Sequence, residues 1–361
     1  MKHTIIKTLL ALAIVLPVRA TETVEHSVDN LPVLGTLAPD ATKQFSRLPD
    51  SLKGKVRDDL WALGLHSAGL SIRFRSDAST LKARWKSLNK FSMNHMTPTG
   101  IRGLDLYVMD TDSTWTPLCS GRPSLASATS TSTFATGMEP RMREYMLYLP
   151  LYDGLDSLFL ITDSAARVLP PVNPNPVREH PLVMYGTSIL QGGCATRPGM
   201  AHTNILQRDL NREVINLGFS GNARLDPEIA QLMAQADAGV YVIDPLPNCK
   251  PEQVSERMDS FLDILRASHP TTPILLVESP IFPIARFVPE TDSVLRHKND
   301  VLREIYTRRS ATDPELYYFE SGDVLPNPEN TVDNYHMTDQ GFRDFADRLE
   351  KVLRPMISKK D

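Results

Sequence analysis

A serine, an aspartate and a histidine stand in this chain at positions where they could act together on an ester. Ser188 lies in Gly186-Thr187-Ser188-Ile189, directly after an apolar run, and Asp333 and His336 stand three residues apart near the end of the chain. A serine hydroxyl is a weak nucleophile until a base removes its proton, and a neighbouring acid orients that base. These residue types therefore predict nucleophilic acyl transfer.

Acyl transfer also needs hydrogen-bond donors for the oxygen that becomes negative when the acyl carbon turns tetrahedral. Two later segments offer such donors. Ser220-Gly221-Asn222 follows a strand-like run, and a glycine there leaves the backbone N–H groups open to a ligand. Asn248 follows the next strand-like run, residues 239–244, and its side-chain amide is a second donor.

The nucleophile and the base each have rivals. A Gly-x-Ser tripeptide is common by chance, and Ser220 beside Gly221 is a competing serine. Among the nine histidines, however, only His336 has an aspartate three residues before it, a spacing that lets one short turn bring carboxylate to imidazole. The pair of His336 with its aspartate is therefore the stronger signal.

The acid and the oxyanion donors have structural alternatives. Asp333 could cap the helix that begins near Asp339, although Thr338 or Asp339 itself is better placed to do so. Asn248 could be an ordinary turn residue and Gly221 an ordinary loop glycine. The evidence for these roles is therefore the order of the candidate residues along the chain, and not any single residue.

Four blocks in the order Ser, Gly, Asn and Asp-x-x-His make residues 181–355 resemble the SGNH hydrolases, also called the GDSL-like lipase and esterase family. In that family the first serine is the nucleophile, and its N–H shares the oxyanion hole with the block-two glycine and the block-three asparagine. The last block carries the acid and the base. The resemblance implies these roles for Ser188, Gly221, Asn248, Asp333 and His336.

Two blocks depart from the family pattern, and a further motif supports the resemblance. Thr187 replaces the aspartate of G-D-S, and Leu246-Pro247-Asn248-Cys249 replaces G-x-N-D. Gly103-Leu104-Asp105-Leu106-Tyr107 resembles the G-x-D-L-Y motif of an amino-terminal domain that precedes a subset of these hydrolases. The two motifs together are more specific than either alone. Thr187 and His95 are candidate substrate contacts.

Residues 1–20 have the pattern of a cleavable secretory signal. Lys2 precedes the apolar stretch 9–18, and Val18-Arg19-Ala20 places small residues where a signal peptidase cleaves. The apolar stretch is too short to span a bilayer, which takes about 20 residues, and no cysteine follows it to accept a lipid. We therefore expect an exported protein, periplasmic or extracellular, without a membrane anchor.

The overall charge and the cysteines narrow the classes of partner. A formal net charge of −4 with mixed signs gives no polybasic footprint for nucleic acid or an anionic membrane surface. The expected substrate is a small ester or an acylated glycan, no metal or organic cofactor is required, and the oligomeric state is open. Cys119, Cys194 and Cys249 have no zinc-binding spacing. Cys194 could pair with Cys249, with three buried thiols as the alternative.

A proline-rich stretch, residues 169–180, separates two predicted domains. Repeated proline forbids helix and interior strand, which predicts an extended linker. Residues 21–168 contain short runs with alternating apolar and polar side chains, which favour an all-β sandwich, jelly-roll-like in form. The Ser/Thr-rich tract 124–136 is expected to be a solvated loop. His95 lies in a loop-rich stretch that could reach the active site.

Residues 181–361 alternate between strand and helix. Five short apolar strands are predicted near residues 182–186, 213–217, 238–244, 273–278 and 316–320. Helices are predicted at 253–268, 292–309 and 339–354, the last ending before Pro355. This pattern predicts an α/β domain with a five-stranded parallel sheet between helices, and the resemblance implies its flavodoxin-like SGNH form. Such sheets bind ligands at their carboxyl edge.

These observations predict a serine ester hydrolase that works through an acyl-serine. Related exported hydrolases with a sandwich before the SGNH domain often remove acetyl groups from polysaccharides, which implies an acetylesterase acting on a carbohydrate. One alternative is a lipase or lysophospholipase, which needs a broad apolar acyl tunnel. Another is a catalytically idle carbohydrate-binding protein, which the altered first and third blocks would allow.

Overall fold

The computed structural model describes residues 22–37, 45–109, 114–325 and 327–357. The expected signal segment, residues 1–20, lies outside this part of the chain. Among the described helices, none combines the length and the apolar character that a bilayer crossing demands.

The amino-terminal half is a sandwich of two antiparallel sheets, as predicted. Its strands are β1 (Thr23–Ser27), β2 (Val33–Leu34), β3 (Ser71–Ser76), β4 (Leu81–Ser87), β5 (Leu104–Met109), β6 (Trp115–Gly121), β7 (Thr129–Ala135), β8 (Arg143–Tyr148), β9 (Leu155–Asp163) and β10 (Val168–Leu169). One sheet has the order β1-β9-β4-β7, and the other has the order β10-β3-β8-β5-β6 with β2 beside β3. Two short helices, α1 (Asp58–Gly64) and α2 (Pro98–Arg102), interrupt the strands.

The Ser/Thr-rich tract 124–136 is not a loop throughout. Its second half forms β7, which pairs antiparallel with β4 at the edge of the four-stranded sheet. Threonine suits extended backbone because its branched Cβ packs well on a pleated surface. Ser130 and Phe134, on the same face of the strand, are both buried. The prediction of a solvated loop is therefore wrong, because polar composition masked a period-two pattern.

The carboxyl-terminal half is the predicted five-stranded parallel sheet. Its strands are β11 (Val177–Gly186), β12 (Arg212–Gly218), β13 (Val240–Asp244), β14 (Ile274–Val277) and β15 (Leu316–Phe319), in the order β12-β11-β13-β14-β15. Its helices are α3 (Ser188–Gln191), α4 (His202–Asp209), α5 (Pro227–Met233), α6 (Pro251–Ser268), α7 (Pro289–Ser310) and α8 (Asp339–Ile357).

Both faces of this sheet are covered, which explains its nearly continuous apolar strands. Along β11, Leu182 and Met184 enter the core on one face, while Val183 and Tyr185 enter the core on the other. The first face packs against α3, α4 and α8, and the second packs against α5 and α6. The fold class inferred from the sequence is confirmed.

The linker predicted at residues 169–180 is shorter in the structure. Leu169 still belongs to β10, and β11 already begins at Val177 and continues through Pro181. The strand tolerates this proline because its register shifts between Val177 and Leu182, where the missing N–H is not needed for pairing. His180, with a φ of 50°, makes the bend.

The last helix runs past Pro355 to Ile357 instead of ending before it. A proline in the final turn removes a single backbone hydrogen bond. Met356 and Ile357 are both buried, so their apolar contacts hold the extra residues in the helix.

Candidate active site

Ser188 is placed by the turn from β11 into α3. The strand ends at Gly186, and Thr187 caps the helix through Oγ1, which accepts the N–H of Ile189 at 3.3 Å. Thr187 is completely buried and its hydroxyl caps the helix, so its contact with substrate stays a prediction that this position does not favour. Ser188, with 9% of its surface exposed, is the first residue of that helix.

Ser188 lies in hydrogen-bond contact with the histidine predicted to be its base. His336 Nε2 is 2.9 Å from Ser188 Oγ, and His336 Nδ1 is 2.8 Å from Asp333 Oδ2. The loop that carries the acid and the base is closed by a bridge between Thr331 and Met337. Three groups separated by up to 148 residues thus form one chain of hydrogen bonds.

The environment of Asp333 determines which imidazole nitrogen carries the proton. Partial burial favours a higher pKa for Asp333, but hydrogen bonds from the His336 backbone, the His336 ring and the Tyr335 backbone together lower that pKa below its usual value. The carboxylate is therefore ionised near neutral pH and can only accept hydrogen bonds. The proton must then lie on Nδ1, which leaves the Nε2 lone pair for the Ser188 hydroxyl.

Asp333 does not cap α8. The capping group is Thr338, whose Oγ1 accepts the N–H of Gly341 at 3.3 Å. Both carboxylate oxygens of Asp333 are occupied within their own loop instead, by the N–H groups of Tyr335 and His336 and by the imidazole. The acid is thus held in place for the histidine.

The sheet order brings the three oxyanion candidates to one edge. β11 lies between β12 and β13, with Gly186 paired to Gly218 on one side and to Asp244 on the other. Ser188, Gly221 and Asn248 each follow one of these strand ends by a few residues. Among the described residues, no protein acceptor takes the backbone N–H of Ser188 or Gly221, so both donors are free for a ligand.

Gly221 is needed for its backbone conformation rather than for space. Its φ is +67°, and a Cβ built there would meet nothing within 4 Å. Most other residues are strained at this φ. The neighbouring Ser220 N–H is already used, because it donates to Gln191 Oε1 at 3.0 Å. The Gly221 N–H is thus the free backbone donor that this loop offers beside Ser188.

The Asn248 side chain is oriented by one hydrogen bond. Its Oδ1 accepts the N–H of Ala223 at 3.3 Å, which leaves the two hydrogens of Nδ2 as donors. Asn248 lies at the end of a short 3₁₀ turn, Leu246–Asn248, directly after β13. A proline-rich turn without the family's glycine therefore still presents the amide.

Replacing Asn248 by alanine is expected to lower kcat about 10²- to 10³-fold with little change in KM, because the amide acts mainly on the developing oxyanion. Initial rates on p-nitrophenyl acetate measure this. The thermal midpoint should stay close to that of the wild type, since only one long hydrogen bond is lost. A kcat within a factor of about three of the wild type would remove Asn248 from the oxyanion hole.

Gln191 was not identified from the sequence, yet it connects three parts of the site. It is fully buried, its Nε2 donates to the carbonyl of Leu151 at 3.0 Å and lies 3.1 Å from His66 Nδ1, and its Oε1 accepts the N–H of Ser220. It thereby holds the loop around Gly221, here called the block-two loop, against the sandwich. An amide within the otherwise apolar Ile189-Leu190-Gln191 is the signal that could have marked it.

The aspartate of the G-x-D-L-Y motif joins the two domains. Asp105 is completely buried, and its Oδ2 accepts from Arg197 Nη1 at 2.6 Å and from the Gly199 N–H at 2.8 Å. Arg197 Nη1 also donates to the hydroxyl of Tyr107 at 2.8 Å. Gly199 has to be glycine, because a Cβ there would lie 2.6 Å from Asp105 Oδ2. The motif thus binds the segment that follows the nucleophile helix.

The segment held by Asp105 also contacts the last helix beside the catalytic loop. Thr196 donates its N–H to Asp339 Oδ1 at 2.9 Å, and its carbonyl accepts from Thr97 Oγ1 at 2.7 Å. Burial raises the pKa of Asp105, while Arg197 and the Gly199 N–H oppose that rise. The sandwich therefore positions the active-site segment through buried polar contacts.

Replacing Asp105 by alanine is expected to lower the free energy of unfolding by about 3 kcal/mol, because Arg197 and the Gly199 N–H lose a buried acceptor. Urea unfolding measures the change. Glu25→Ala is the matched control, since it removes an exposed bidentate partner of Arg84 on the same sandwich, and its effect should be much smaller. Equal effects of the two changes would argue against a stabilising role for the buried contacts of Asp105.

Two further residues of the sandwich half reach the catalytic groups. The ring of His95 lies 5.7 Å, centroid to centroid, from the ring of His336. The hydroxyl of Tyr152 donates to the backbone carbonyl of Ser188 at 3.4 Å. The expectation that His95 approaches the site therefore agrees with its position.

The three cysteines are free, so the considered pairing of Cys194 with Cys249 does not form. Cys194 and Cys249 are buried and Cys119 is partly exposed. Burial and the neighbouring Asp333 raise the pKa of the Cys194 thiol to about 12. Cys249 Sγ instead donates to the carbonyl of Ala223 at 3.3 Å.

A cleft of about 330 Å³ lies beside the block-two loop, between the two halves of the chain. Its walls include the side chains of Asp59, His66, Phe91, Met93, Tyr152, Ser220 and Asn222. Ser220 and Asn222 flank Gly221, so the cleft adjoins the oxyanion donors. A larger cleft, about 690 Å³, lies at the ends of β14 and β15 and is lined by none of the three catalytic candidates.

Both halves of the chain match known families. Residues 179–354 match the GDSL-like lipase/acylhydrolase family, and residues 23–168 match the GxDLY domain found at the amino terminus of SGNH hydrolase-type esterases. A search of curated proteins finds no significant match.

Several solved structures share the whole architecture. A protein from Bacteroides ovatus described as a GDSL-like lipase is 29% identical with a TM-score of 0.88, over 93% of this chain and 98% of that one. A salicylyl-acyltransferase from a tetracycline biosynthetic pathway is 19% identical with a TM-score of 0.72, over 93% and 98% of the two chains. A family two carbohydrate esterase from Clostridium thermocellum is 13% identical with a TM-score of 0.58, over 81% and 93%.

The two remote likenesses concern the fold alone, whereas the family matches cover the blocks that carry the serine, the glycine, the asparagine and the acid–base pair. The resemblance found in the motifs is therefore confirmed: this chain belongs to the SGNH hydrolases, with a GxDLY domain at residues 23–168 and a GDSL-like lipase/acylhydrolase domain at residues 179–354.

Proposed function

We propose that this protein is a serine ester hydrolase that removes short acyl groups, acetyl above all, from a carbohydrate. The observation that carries the proposal is the hydrogen-bonded series from Ser188 Oγ through His336 to Asp333, at 2.9 and 2.8 Å. It stands at the sheet edge that also carries the amide of Asn248 and two backbone N–H groups, those of Ser188 and Gly221, to which no described residue offers an acceptor. This is the arrangement that acyl transfer through serine requires.

The reaction proceeds in two steps. His336 Nε2 takes the proton of Ser188 as Oγ attacks the ester carbonyl, and the N–H groups of Ser188 and Gly221 with the Asn248 amide stabilise the oxyanion. The imidazolium, whose charge Asp333 balances, then protonates the leaving alcohol. Water enters, His336 takes its proton, and the acyl-serine is hydrolysed.

The cleft beside the oxyanion donors favours a sugar over a long hydrocarbon chain. It combines the apolar faces of Phe91 and Met93 with the polar groups of Asp59, His66 and Asn222. Aromatic faces pack against the C–H surface of a sugar ring, while a carboxylate such as that of Asp59 can accept hydrogen bonds from its hydroxyls; a fatty acyl chain would desolvate that carboxylate without offering it a hydrogen bond. The likeness in fold to a carbohydrate esterase supports the same substrate class.

The leaving alcohol is expected to contact His95. Since His336 must hand its proton to the leaving oxygen, the alcohol departs beside that ring. His95 is exposed and its ring is 5.7 Å from His336. We therefore assign His95 to the alcohol half of the ester and not to the acyl group.

Initial rates on p-nitrophenyl acetate, butyrate and octanoate, together with acetate release from acetylated xylan, test the proposal. We expect kcat/KM to fall with each lengthening of the acyl chain and acetate to be released from the glycan. A preference for octanoate would favour the lipase alternative and contradict the proposal. Absence of turnover on every ester would favour the idle binding protein, which glycan-binding measurements would then examine.

We also propose that the protein is exported after removal of residues 1–20. The lysines, the apolar stretch and the small residues at 18 and 20 support this. Expression with its own leader, followed by amino-terminal sequencing of the protein outside the cytoplasm, should give a sequence that begins near Thr21. An intact leader on a protein retained in the cytoplasm would contradict export.

A further inference from the structure

Four side chains around the catalytic base bring nitrogen, sulfur and oxygen donors together. One ligand atom from each of His95, Cys194, Asp333 and His336 lies within 4.8 Å of the other three. Asp333 and His336 are the acid and the base of the proposed reaction. His95 comes from the sandwich half and Cys194 from the segment after α3, and the proposed hydrolysis does not use the thiol.

We propose that these four residues form a binding site for Zn²⁺, and that zinc bound there reversibly inhibits the hydrolase. Two imidazoles, one thiolate and one carboxylate are the donor types that Zn²⁺ takes in four-coordinate sites. Mg²⁺ and Ca²⁺ prefer oxygen ligands only, so a site with two nitrogens and a sulfur discriminates against them. The inhibition rests on the proposed hydrolysis, whereas the binding does not.

The present spacing is close to that of a zinc tetrahedron. Bonds of about 2.0 to 2.3 Å place neighbouring ligand atoms roughly 3.5 Å apart. The four ligand atoms lie within 4.8 Å of one another, so each side chain needs to move by about 1 Å to reach that distance. His95 is free to do so, because it is exposed at the tip of a turn that Met93 and Met96 close.

His95 is also oriented as a metal ligand usually is. Its Nδ1 lies 3.1 Å from Asn94 Oδ1, which leaves Nε2 without a partner among the described residues. Metal-binding histidines commonly hold one ring nitrogen in such a hydrogen bond while the other coordinates. Asn94 thus sets the ring in the form a cation needs.

Inhibition follows from the electron pairs of the imidazole. Neutral imidazole has one nitrogen lone pair, and His336 needs it to accept the Ser188 proton. Zinc on Nε2 occupies that lone pair directly. Zinc on Nδ1 places the ring proton on Nε2, so Nε2 again has no lone pair to accept the Ser188 proton. Coordination by Cys194 releases the thiol proton to solvent, and no electron transfer is involved.

The experiment measures p-nitrophenyl acetate hydrolysis by the full chain at increasing Zn²⁺, with Mg²⁺ in parallel and EDTA added at the end. Zinc stoichiometry is measured separately by competition with a chromogenic chelator. The variant is Cys194→Ser, with Cys194→Ala as a second version, and Cys119→Ser is the control because it removes the more exposed thiol. Thermal midpoints verify that each variant is folded.

We expect one Zn²⁺ per wild-type chain, inhibition that EDTA reverses, and no inhibition by Mg²⁺ at the same concentration. Both Cys194 variants should hydrolyse the ester at near the wild-type rate but need at least about tenfold more zinc for half inhibition and for half occupancy. Cys119→Ser should behave as the wild type. The proposal is overturned if the Cys194 variants bind and respond to zinc as the wild type does, or if Cys119→Ser relieves the inhibition.

The two readouts separate this inference from the proposed function. If the protein hydrolyses no ester, chelator competition still tests the site, and loss of the single zinc in both Cys194 variants would support it. If the protein hydrolyses esters but binds no zinc, or binds several ions without saturation, the inference fails and the hydrolase proposal stands.

Discussion

Replacing Ser188 by alanine is expected to lower kcat for ester hydrolysis by roughly 10⁴- to 10⁶-fold, because both chemical steps pass through its oxygen. The residual rate would come from water attacking an ester held in the oxyanion hole. Stability should change little, since within the described part of the chain Ser188 Oγ makes a single side-chain hydrogen bond, to His336 Nε2. Steady-state kinetics on p-nitrophenyl acetate and a thermal melt measure the two effects.

Ser220→Ala is the matched control for this change. Ser220 is the rival serine of the sequence, and it lies in the block-two loop next to Gly221, where its backbone N–H is held by Gln191. Removing its hydroxyl loses at most a neutral hydrogen bond, worth about 1 kcal/mol. We expect it to retain most of the activity. A loss at Ser220 as large as that at Ser188 would contradict the assigned nucleophile.

Replacing Asp333 by asparagine is expected to lower kcat about 10⁴-fold while the fold persists. Asp333 Oδ1 accepts the N–H groups of Tyr335 and His336 at 3.1 and 2.8 Å, so the amide oxygen of asparagine will take that position. Its NH₂ then faces His336 Nδ1, which can only accept from it. The imidazole proton moves to Nε2, and the base can no longer take the Ser188 proton.

Asp323→Asn is the control for the charge itself. Asp323 lies in the same connection between β15 and α8, and its carboxylate pairs with Arg348 at the surface. This change removes the same charge without touching the imidazole, so the kinetics should stay unchanged. If Asp333→Asn retained activity within about tenfold of the wild type, the imidazole would not depend on this acid for its tautomer.

The hydrogen-bonded arrangement of the candidate catalytic residues could be predicted because their signals are local. Asp333 and His336 stand three residues apart, so one turn joins them, and Ser188 follows a strand that reads as buried. The parallel sheet explains the position of the oxyanion candidates, since adjacent strands end at the same edge and place Gly221 and Asn248 on the same side as Ser188. Strand and helix positions were predicted to within a few residues for the same reason.

The contacts between the two halves could not be predicted, because their partners are distant in sequence. Asp105 and Arg197 are 92 residues apart, and nothing near either residue marks the other as its partner. The capping role of Thr187 could not be predicted either, because a residue next to a candidate nucleophile suggests substrate contact, and only the structure shows its hydroxyl accepting the N–H of Ile189. Residues 177–180 were assigned to the linker because repeated prolines flank them, whereas β11 already begins at Val177 and passes Pro181 through a register shift that the sequence does not reveal.

The most direct test of the account is covalent labelling of the nucleophile. The wild-type chain is incubated with a fluorophosphonate, which reacts with serines activated by a neighbouring base, and the adduct is located by peptide mass spectrometry. We predict one adduct per chain, on Ser188, with loss of hydrolysis in proportion to labelling and no adduct in Ser188→Ala. An adduct on Ser220, or full hydrolysis by a chain labelled at Ser188, would contradict the central claim that Ser188 is the catalytic nucleophile.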